Sequence, residues 1–185
     1  MKKALLIATV LLLGSNYGVA QASRYGVRIG ANISSISSDD IADDFDTGRI
    51  GVVVGFFAEY AFNEKLSIQP EIQYSGQGNK EEDLRADYIQ VPILFKYNFN
   101  HIFNIQLGPQ AGIKIWEWED NQNDNVDFNT FDYAVVGGIG VNITDNFFAT
   151  ARYSYGLANV FDDEDLGISL DGNNTVIQLS VGYRL

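Results

Sequence analysis

The sequence predicts an all-β protein, an eight-stranded antiparallel up-and-down transmembrane β-barrel. Apolar and polar residues alternate with a period of two in one segment after another. Aromatic residues stand at both ends of these segments, and the connections between segments are alternately short and long. Apolar strand faces bounded by aromatic residues are typical of barrels that turn their apolar side toward lipid.

Eight segments show the alternation. In the clearest one, Tyr133, Val135 and Ile139 belong to a bulky apolar row, and the opposite row is mostly small. Most segments reach the roughly 9 to 11 residues that a tilted strand needs to cross a bilayer. The predicted strands are 24–32, 49–62, 66–77, 87–99, 104–116, 132–143, 147–157 and 174–185. Because hydrocarbon offers no partner to an unpaired strand edge, we expect the sheet to close.

Three prolines fall inside predicted strands, at Pro70, Pro92 and Pro109. Proline has no backbone N–H, so each one removes a donor from the ladder of hydrogen bonds. We therefore expect local β-bulges at these positions.

Two sets of outward aromatic residues predict the boundaries of the membrane. Rings of this kind suit the level of the lipid headgroups. The set next to the short connections is Tyr25, Tyr60, Tyr97, Phe147 and Tyr183, and the set next to the long connections is Tyr74, Tyr133 and Tyr155.

The connections predict the orientation. Segments 63–65, 100–103 and 144–146 are short, as periplasmic turns are, and the longer connections would be extracellular loops. The long connections are 33–48, 78–86, 117–131 and 158–173. With their edges they hold 20 of the 24 acidic residues, leaving Glu59, Glu64, Glu71 and Asp145. The sequence thus predicts acidic loops on the outside of the cell.

Residues 1–22 have the pattern of a secretory signal peptide, with Lys2 and Lys3 before an apolar run at 4–13 and a small-x-small site at 20–22. The run is about half the length of a spanning helix, which disfavours a membrane anchor. The expected mature domain is 23–185, with 10 Lys and Arg against 24 Asp and Glu and a net charge of −14. This acidity disfavours nucleic acid as a partner. The chain has no cysteine, which excludes thiol catalysis.

The inward rows contain a few charges among polar and aromatic residues. Since eight strands enclose a space that side chains can fill, we expect a filled lumen with paired charges. The predicted lumen charge network is Arg28, Glu59, Glu71, Lys96, Lys114, Arg152 and Arg184. Phe57, Tyr88, Trp116 and Phe148 would occupy the volume beside inward glycines. The alternative is a water-filled lumen, in which five basic against two acidic groups would favour anions.

Catalysis and metal binding have little support in the sequence. The single histidine, His101, falls in a predicted periplasmic turn, far from where a general base of an outer-leaflet hydrolase would stand. The acidic stretch 120–125 lacks the glycine and the glutamate of a calcium loop. We therefore expect no enzyme activity, no cofactor and no specific metal site.

Three stretches carry a resemblance to a known family: 66–75 (LSIQPEIQYS), 88–97 (YIQVPILFKY) and 108–112 (GPQAG). With them the chain resembles the small outer-membrane β-barrels of Gram-negative bacteria, the "porin family" barrel domains of OmpA/OmpX type. The end of the chain, with Gln178, Tyr183 and Leu185, is similar to the C-terminal signal that the barrel assembly machinery reads during insertion. The signal commonly ends on an aromatic residue, whereas this chain ends on Leu185.

The resemblance implies an outer-membrane location, with lipid and lipopolysaccharide as surroundings, and it supplies no catalytic residues. Our first hypothesis is an integral barrel with a structural or surface-interaction role, acidic extracellular loops, a mostly filled lumen and an extracellular protein partner. The second is a narrow passive channel for small solutes. The third is a secreted soluble barrel with an apolar ligand inside, which would place the apolar rows in the interior.

Overall fold

The computed structural model describes residues 23–38, 49–78, 85–117, 131–157 and 172–185. These residues form eight strands that pair in chain order, all antiparallel, and close into a barrel. The strands are β1 Ser23–Ser38, β2 Arg49–Ala61, β3 Leu66–Gly78, β4 Arg85–Asn98, β5 Phe103–Glu117, β6 Phe131–Asn142, β7 Phe147–Gly156 and β8 Gly172–Arg184. The predicted fold class is confirmed.

The strands are strongly staggered. A walk around the barrel through directly paired residues starts at Ser23, passes Tyr60, Phe95 and Gly137 among others, and returns to β1 at Ile33, ten residues further along. A stagger of this size requires strands tilted by about 35–45° from the barrel axis. The narrow barrel that results brings side chains from opposite walls into contact.

The first strand is longer than predicted. β1 continues through Ser38, because its residues beyond Asn32 pair with the start of β8, from Ser38 opposite Gly172 to Ile33 opposite Ile177. The sequence pattern in 33–38 is rich in serine and resembles a loop. The tilt of the barrel supplies the pairing partner that the local sequence does not reveal.

The expectation of bulges at the prolines is wrong. The register is the same on both sides of Pro70, Pro92 and Pro109, although the ladder is interrupted near the first two. Among the described residues, the register shifts between Asp87 and Tyr88, in the pairing of β4 with β5. The absent backbone N–H of each proline therefore removes a hydrogen bond from the ladder, but no extra residue bulges out of the strand.

Apolar side chains face outward and polar ones inward. Ile139, Phe95 and Leu179 are more than half exposed, whereas Gln69, Gln90 and Arg28 are at most 1% exposed. Among the outward strand residues whose side chains are described, none is charged. This arrangement is the opposite of a soluble barrel, so the third hypothesis is wrong.

The three short turns cap themselves. Asn63 accepts the backbone N–H groups of Lys65 and Leu66, and Asn100 does the same for Ile102 and Phe103. The end of the barrel that carries these turns is called the periplasmic end below, following the general rule for such barrels. No helix in the described ranges is long and apolar enough to cross a membrane.

Candidate functional site in the barrel lumen

A buried carboxylate holds the centre of the lumen together. Both oxygens of Glu71 are engaged by Arg152, at 2.7 and 2.8 Å, and Oε2 also accepts from Arg28 at 2.7 Å. Gln69 donates to Oε1 at 2.5 Å, and Arg152 Nε donates to Gln106 at 2.9 Å. The side chains of Glu71 and Arg28 are fully buried, and that of Arg152 is 2% exposed. A fork–fork pair of this kind is strong and directional.

These side chains are called the Glu71 cluster (Arg28, Gln69, Glu71, Arg152). They come from three strands on different sides of the barrel. β1 supplies Arg28, β3 supplies Gln69 and Glu71, and β7 supplies Arg152. Arg28 is held further by Thr150 and Gln178, and by Ser180 in a short contact. The Glu71 cluster therefore spans the lumen from wall to wall.

A second cluster lies nearer the periplasmic end. Lys96 donates to Glu59 and to Gln69, both at 2.9 Å, so it links this group to the Glu71 cluster. Ser67 also donates to Glu59, and Arg184 approaches the same carboxylate at 3.9 Å. The Glu59 side chain is 10% exposed, since it faces the mouth of the barrel. Together the two clusters contain two carboxylates and four basic side chains, so the carboxylates neutralise only part of the positive charge.

Aromatic rings and glycines complete the filling. Phe57 and Phe148 meet edge to face with their ring centres 5.4 Å apart, and the Arg184 guanidinium lies 4.6 Å from the centre of the Phe148 ring. A side chain at Gly26 would run into Phe57, and one at Gly182 would run into Phe148. The two rings therefore fit only because the facing wall residues have no Cβ.

Two cavities lie on either side of the clusters. The larger, about 540 Å³, is the periplasmic mouth, lined by the three turns together with Arg24, Glu59 and Arg184. The smaller, about 10 Å³, lies above the Glu71 cluster among Gln77, Gln90 and Gln178. A volume of about 10–15 Å³ holds one water molecule. The Glu71 cluster separates a wide mouth from a space of that size.

The inward acids are more numerous than expected. Asp87 is 5% exposed inside the barrel, and Asp132 is also an inward strand residue, although both count toward the acidic edges of the long connections in the sequence. Arg24, directly opposite Glu59, also faces inward, so the described inward groups number six basic and four acidic instead of the expected five and two. The sequence pattern missed the two aspartates because they stand at strand ends, where the alternation merges with the acidic loops.

The structure places six predicted network residues in the two clusters: Arg28, Glu59, Glu71, Lys96, Arg152 and Arg184. Lys114 is half-buried and lies on β5 near the end of the barrel opposite the periplasmic one. Gln178, which was considered for its resemblance to an insertion signal, lies in the lumen beside Arg28. The Trp116 side chain and the stretch 120–125 lie outside the described residues. In the described ranges no group of three or more His, Cys, Asp or Glu side chains is placed to hold a metal ion.

The sequence missed the neutral partners. Thr150, Ser180 and Gln106 each accept a hydrogen bond from a buried arginine. In the sequence they are ordinary polar members of inward rows. A buried arginine needs acceptors for its donors, which is the signal that marks such residues once the arginine is known to be inside.

The aromatic residues form contacts at the periplasmic end. Tyr25 packs against Tyr60 with ring centres 6.5 Å apart, and Phe147 against Tyr183 at 4.9 Å. Tyr97 is also exposed there, next to Phe99. At the other end, Tyr74, Tyr133 and Tyr155 are exposed outward rings, and so is Phe131 at the start of β6. Outward apolar strands between two levels of exposed rings define a transmembrane β-barrel.

The chain belongs to the outer membrane protein beta-barrel domain family, whose model matches residues 19–162. Gram-negative outer membranes are the location of this family, so the barrel is an integral protein of such a membrane. No curated protein matches the chain.

Solved structures share the fold. Ail, the attachment invasion locus protein of Yersinia pestis, has a TM-score of 0.54 at 18% identity, with 89% of this chain and 100% of Ail covered. Neisserial surface protein A has a TM-score of 0.58 at 13% identity, with the same coverage. A further Ail structure contains the heparin analogue sucrose octasulfate, with a TM-score of 0.53 at 19% identity and again the same coverage. At such identities the likeness concerns the fold.

Proposed function

We propose that this protein is a non-conducting, non-enzymatic outer-membrane barrel with a structural or surface-interaction role. The observation that carries the proposal is the Glu71 cluster, which joins three walls of the lumen through fully buried ion pairs. Passage of a hydrated ion would require these pairs to separate in a space of low dielectric constant. Separating a buried pair is costly, because each charge is left without compensation.

Recording in planar bilayers tests the closed lumen. The wild-type barrel is expected to give no steady conductance, whereas Glu71→Ala, which opens space and leaves Arg28 and Arg152 unpaired, is expected to give intermittent anion-selective events. The gel-mobility shift between boiled and unboiled samples serves as the folding control for both proteins. A steady conductance from the wild type would establish the narrow passive channel instead.

The acidic connections support a role at the cell surface. Segments 39–48, 79–84, 118–130 and 158–171 hold five, three, four and five acidic residues, and their one basic residue is Lys80. Their formal charge is therefore −16. The rule for turn lengths assigns them to the extracellular side. Such a charge repels polyanions and attracts basic surfaces and divalent cations.

The expected extracellular partner is therefore a basic protein surface, and lipopolysaccharide phosphates would be approached through bridging divalent cations. A basic partner is opposite in charge to the sulfated sugar bound to Ail, since a sulfated ligand needs positive charge on the protein that binds it. We infer that this barrel and Ail serve different ligands on a common fold.

Binding of the barrel in lipid nanodiscs to immobilised polylysine and to immobilised heparin tests the surface role. We expect binding to polylysine that weakens with salt, and none to heparin. Asp162→Asn with Asp163→Asn is expected to weaken polylysine binding. The matched control neutralises two exposed acids of the periplasmic turns, with Glu64→Gln and Asp145→Asn, and should leave it unchanged. Equal effects of the two pairs, or preferential heparin binding, would refute the proposal.

Two processing steps complete the proposal. Residues 1–22 are cleaved on export, and 178–185 provide the signal read by the barrel assembly machinery. The intact mass of the protein from outer membranes tests the first step, because a chain that starts at Ser23 has one expected mass. Leu185→Phe tests the second, since a terminal aromatic residue is expected to raise the yield of inserted barrel.

A further inference from the structure

The lipid-facing wall of the barrel contains an open apolar groove. Its floor is β7, where the outward residues Ala149 and Ala151 are small, and its lining extends past β8 to Ile29 and Gly30 of β1. Ile139 lies directly opposite Ala151 on one side, and Leu179 lies directly opposite it on the other. The volume of the groove is about 440 Å³, and the lining is almost entirely apolar.

The walls of the groove stand well above its floor. Ile139 and Leu179 are 58% and 53% exposed, as expected for side chains that project into the surroundings, whereas the two alanines are half-buried. β6 and β8 are two strand spacings apart, about 9–10 Å. After allowance for the side chains, that width admits a single hydrocarbon chain. A chain in the groove would touch protein on three sides, whereas elsewhere on the barrel it would touch one.

The position of the groove identifies the leaflet. Ala149 is two residues from Phe147 and Val181 is two residues from Tyr183, and these two rings pack together at the periplasmic boundary. Ala151 is four residues from Tyr155, which belongs to the opposite boundary. The groove therefore starts at the periplasmic aromatic pair and runs toward the middle of the membrane. In a Gram-negative outer membrane this leaflet consists of phospholipid.

We infer that the groove binds one acyl chain of a periplasmic-leaflet phospholipid, with its headgroup at the level of Phe147 and Tyr183. The groove is continuous with the lipid-exposed surface that the family membership establishes. Between apolar surfaces in a membrane, the favourable term is closer packing, since no water is displaced. About ten additional carbon–carbon contacts are equivalent to about a tenfold change in a binding constant.

Native mass spectrometry of the barrel released from phosphatidylethanolamine vesicles tests this inference. The wild type is expected to keep one phospholipid under activation that strips the others. Ala149→Leu and Ala151→Leu fill the groove and are expected to lower the retained fraction about tenfold. The matched control is Ala58→Leu, an outward alanine two residues from Tyr60 at the same boundary, which does not line the groove.

Two further measurements check the folding of the variants and the location of the bound lipid. The gel-mobility shift shows that each variant is folded, and Ala151→Val replaces Ala151→Leu if the latter does not insert. A phosphatidylcholine with a photoreactive group in the middle of one acyl chain should label β7 and its neighbours in the wild type. Equal retention in the groove and control variants, or labelling spread evenly over the eight strands, would each overturn it.

Discussion

Removal of the charge at Glu71 is the most direct perturbation of the lumen. Glu71→Gln keeps the volume and replaces one oxygen by an NH₂ group that faces a guanidinium. The carboxylate accepts four hydrogen bonds, three of them from Arg28 and Arg152. Breaking a buried pair by removal of one partner costs about 3–5 kcal/mol. We expect the free energy of unfolding to fall by that amount, because two buried cations lose the carboxylate that pairs with both of them.

The assay is urea unfolding of the barrel in phospholipid vesicles, followed by the fluorescence of the two tryptophans and by the gel-mobility shift. Glu59→Gln is the matched control, because its side chain is 10% exposed at a cavity of about 540 Å³. Water there can solvate Lys96 and Arg184, so we expect a loss of about 1–2 kcal/mol. The larger expected loss for Glu71→Gln than for Glu59→Gln follows from the deeper burial of Glu71 alone.

Double variants separate the ion pair from general damage. Glu71→Gln and Arg152→Met should couple by about 1–3 kcal/mol, because their side chains share two hydrogen bonds. Glu71→Gln and Arg184→Met should be close to additive, since Arg184 belongs to the other cluster. A loss below about 1 kcal/mol for Glu71→Gln, or equal losses for both glutamates, would refute a buried electrostatic centre.

Three further outcomes follow from the barrel wall. Ile93→Asp combined with Ile139→Asp is expected to reduce the fraction inserted into vesicles, since charge on the lipid face opposes insertion; full insertion and unchanged stability would contradict the assignment of faces. Gly182→Ala should destabilise by about 1–3 kcal/mol in urea unfolding, because the methyl group overlaps the Phe148 ring, whereas Gly137→Ala, whose methyl group makes an ordinary contact with Leu107 at 3.8 Å, should not. Equal effects of these two would exclude the tight ring packing.

Much of the architecture could be predicted because lipid imposes a simple rule on each strand. Period-two alternation decides which residues face outward, as with Phe95, Val135 and Leu179, and no distant contact is needed to see it. The six charges of the two lumen clusters could be chosen for the same reason. The limits of β1 and the location of Asp87 could not, since both depend on which residues the tilted neighbouring strands bring opposite.

The sequence alone determined that this chain is a membrane barrel with acidic connections, because alternation, aromatic boundaries and charge counts are local properties. Only the tertiary structure decided how the lumen is closed. The partners of Glu71 come from positions 43 and 81 residues away in the chain, and the stagger of the strands selects them. The groove on β7 also depends on the tertiary structure. The small outward side chains of one strand form a groove only when larger side chains project from both neighbouring strands.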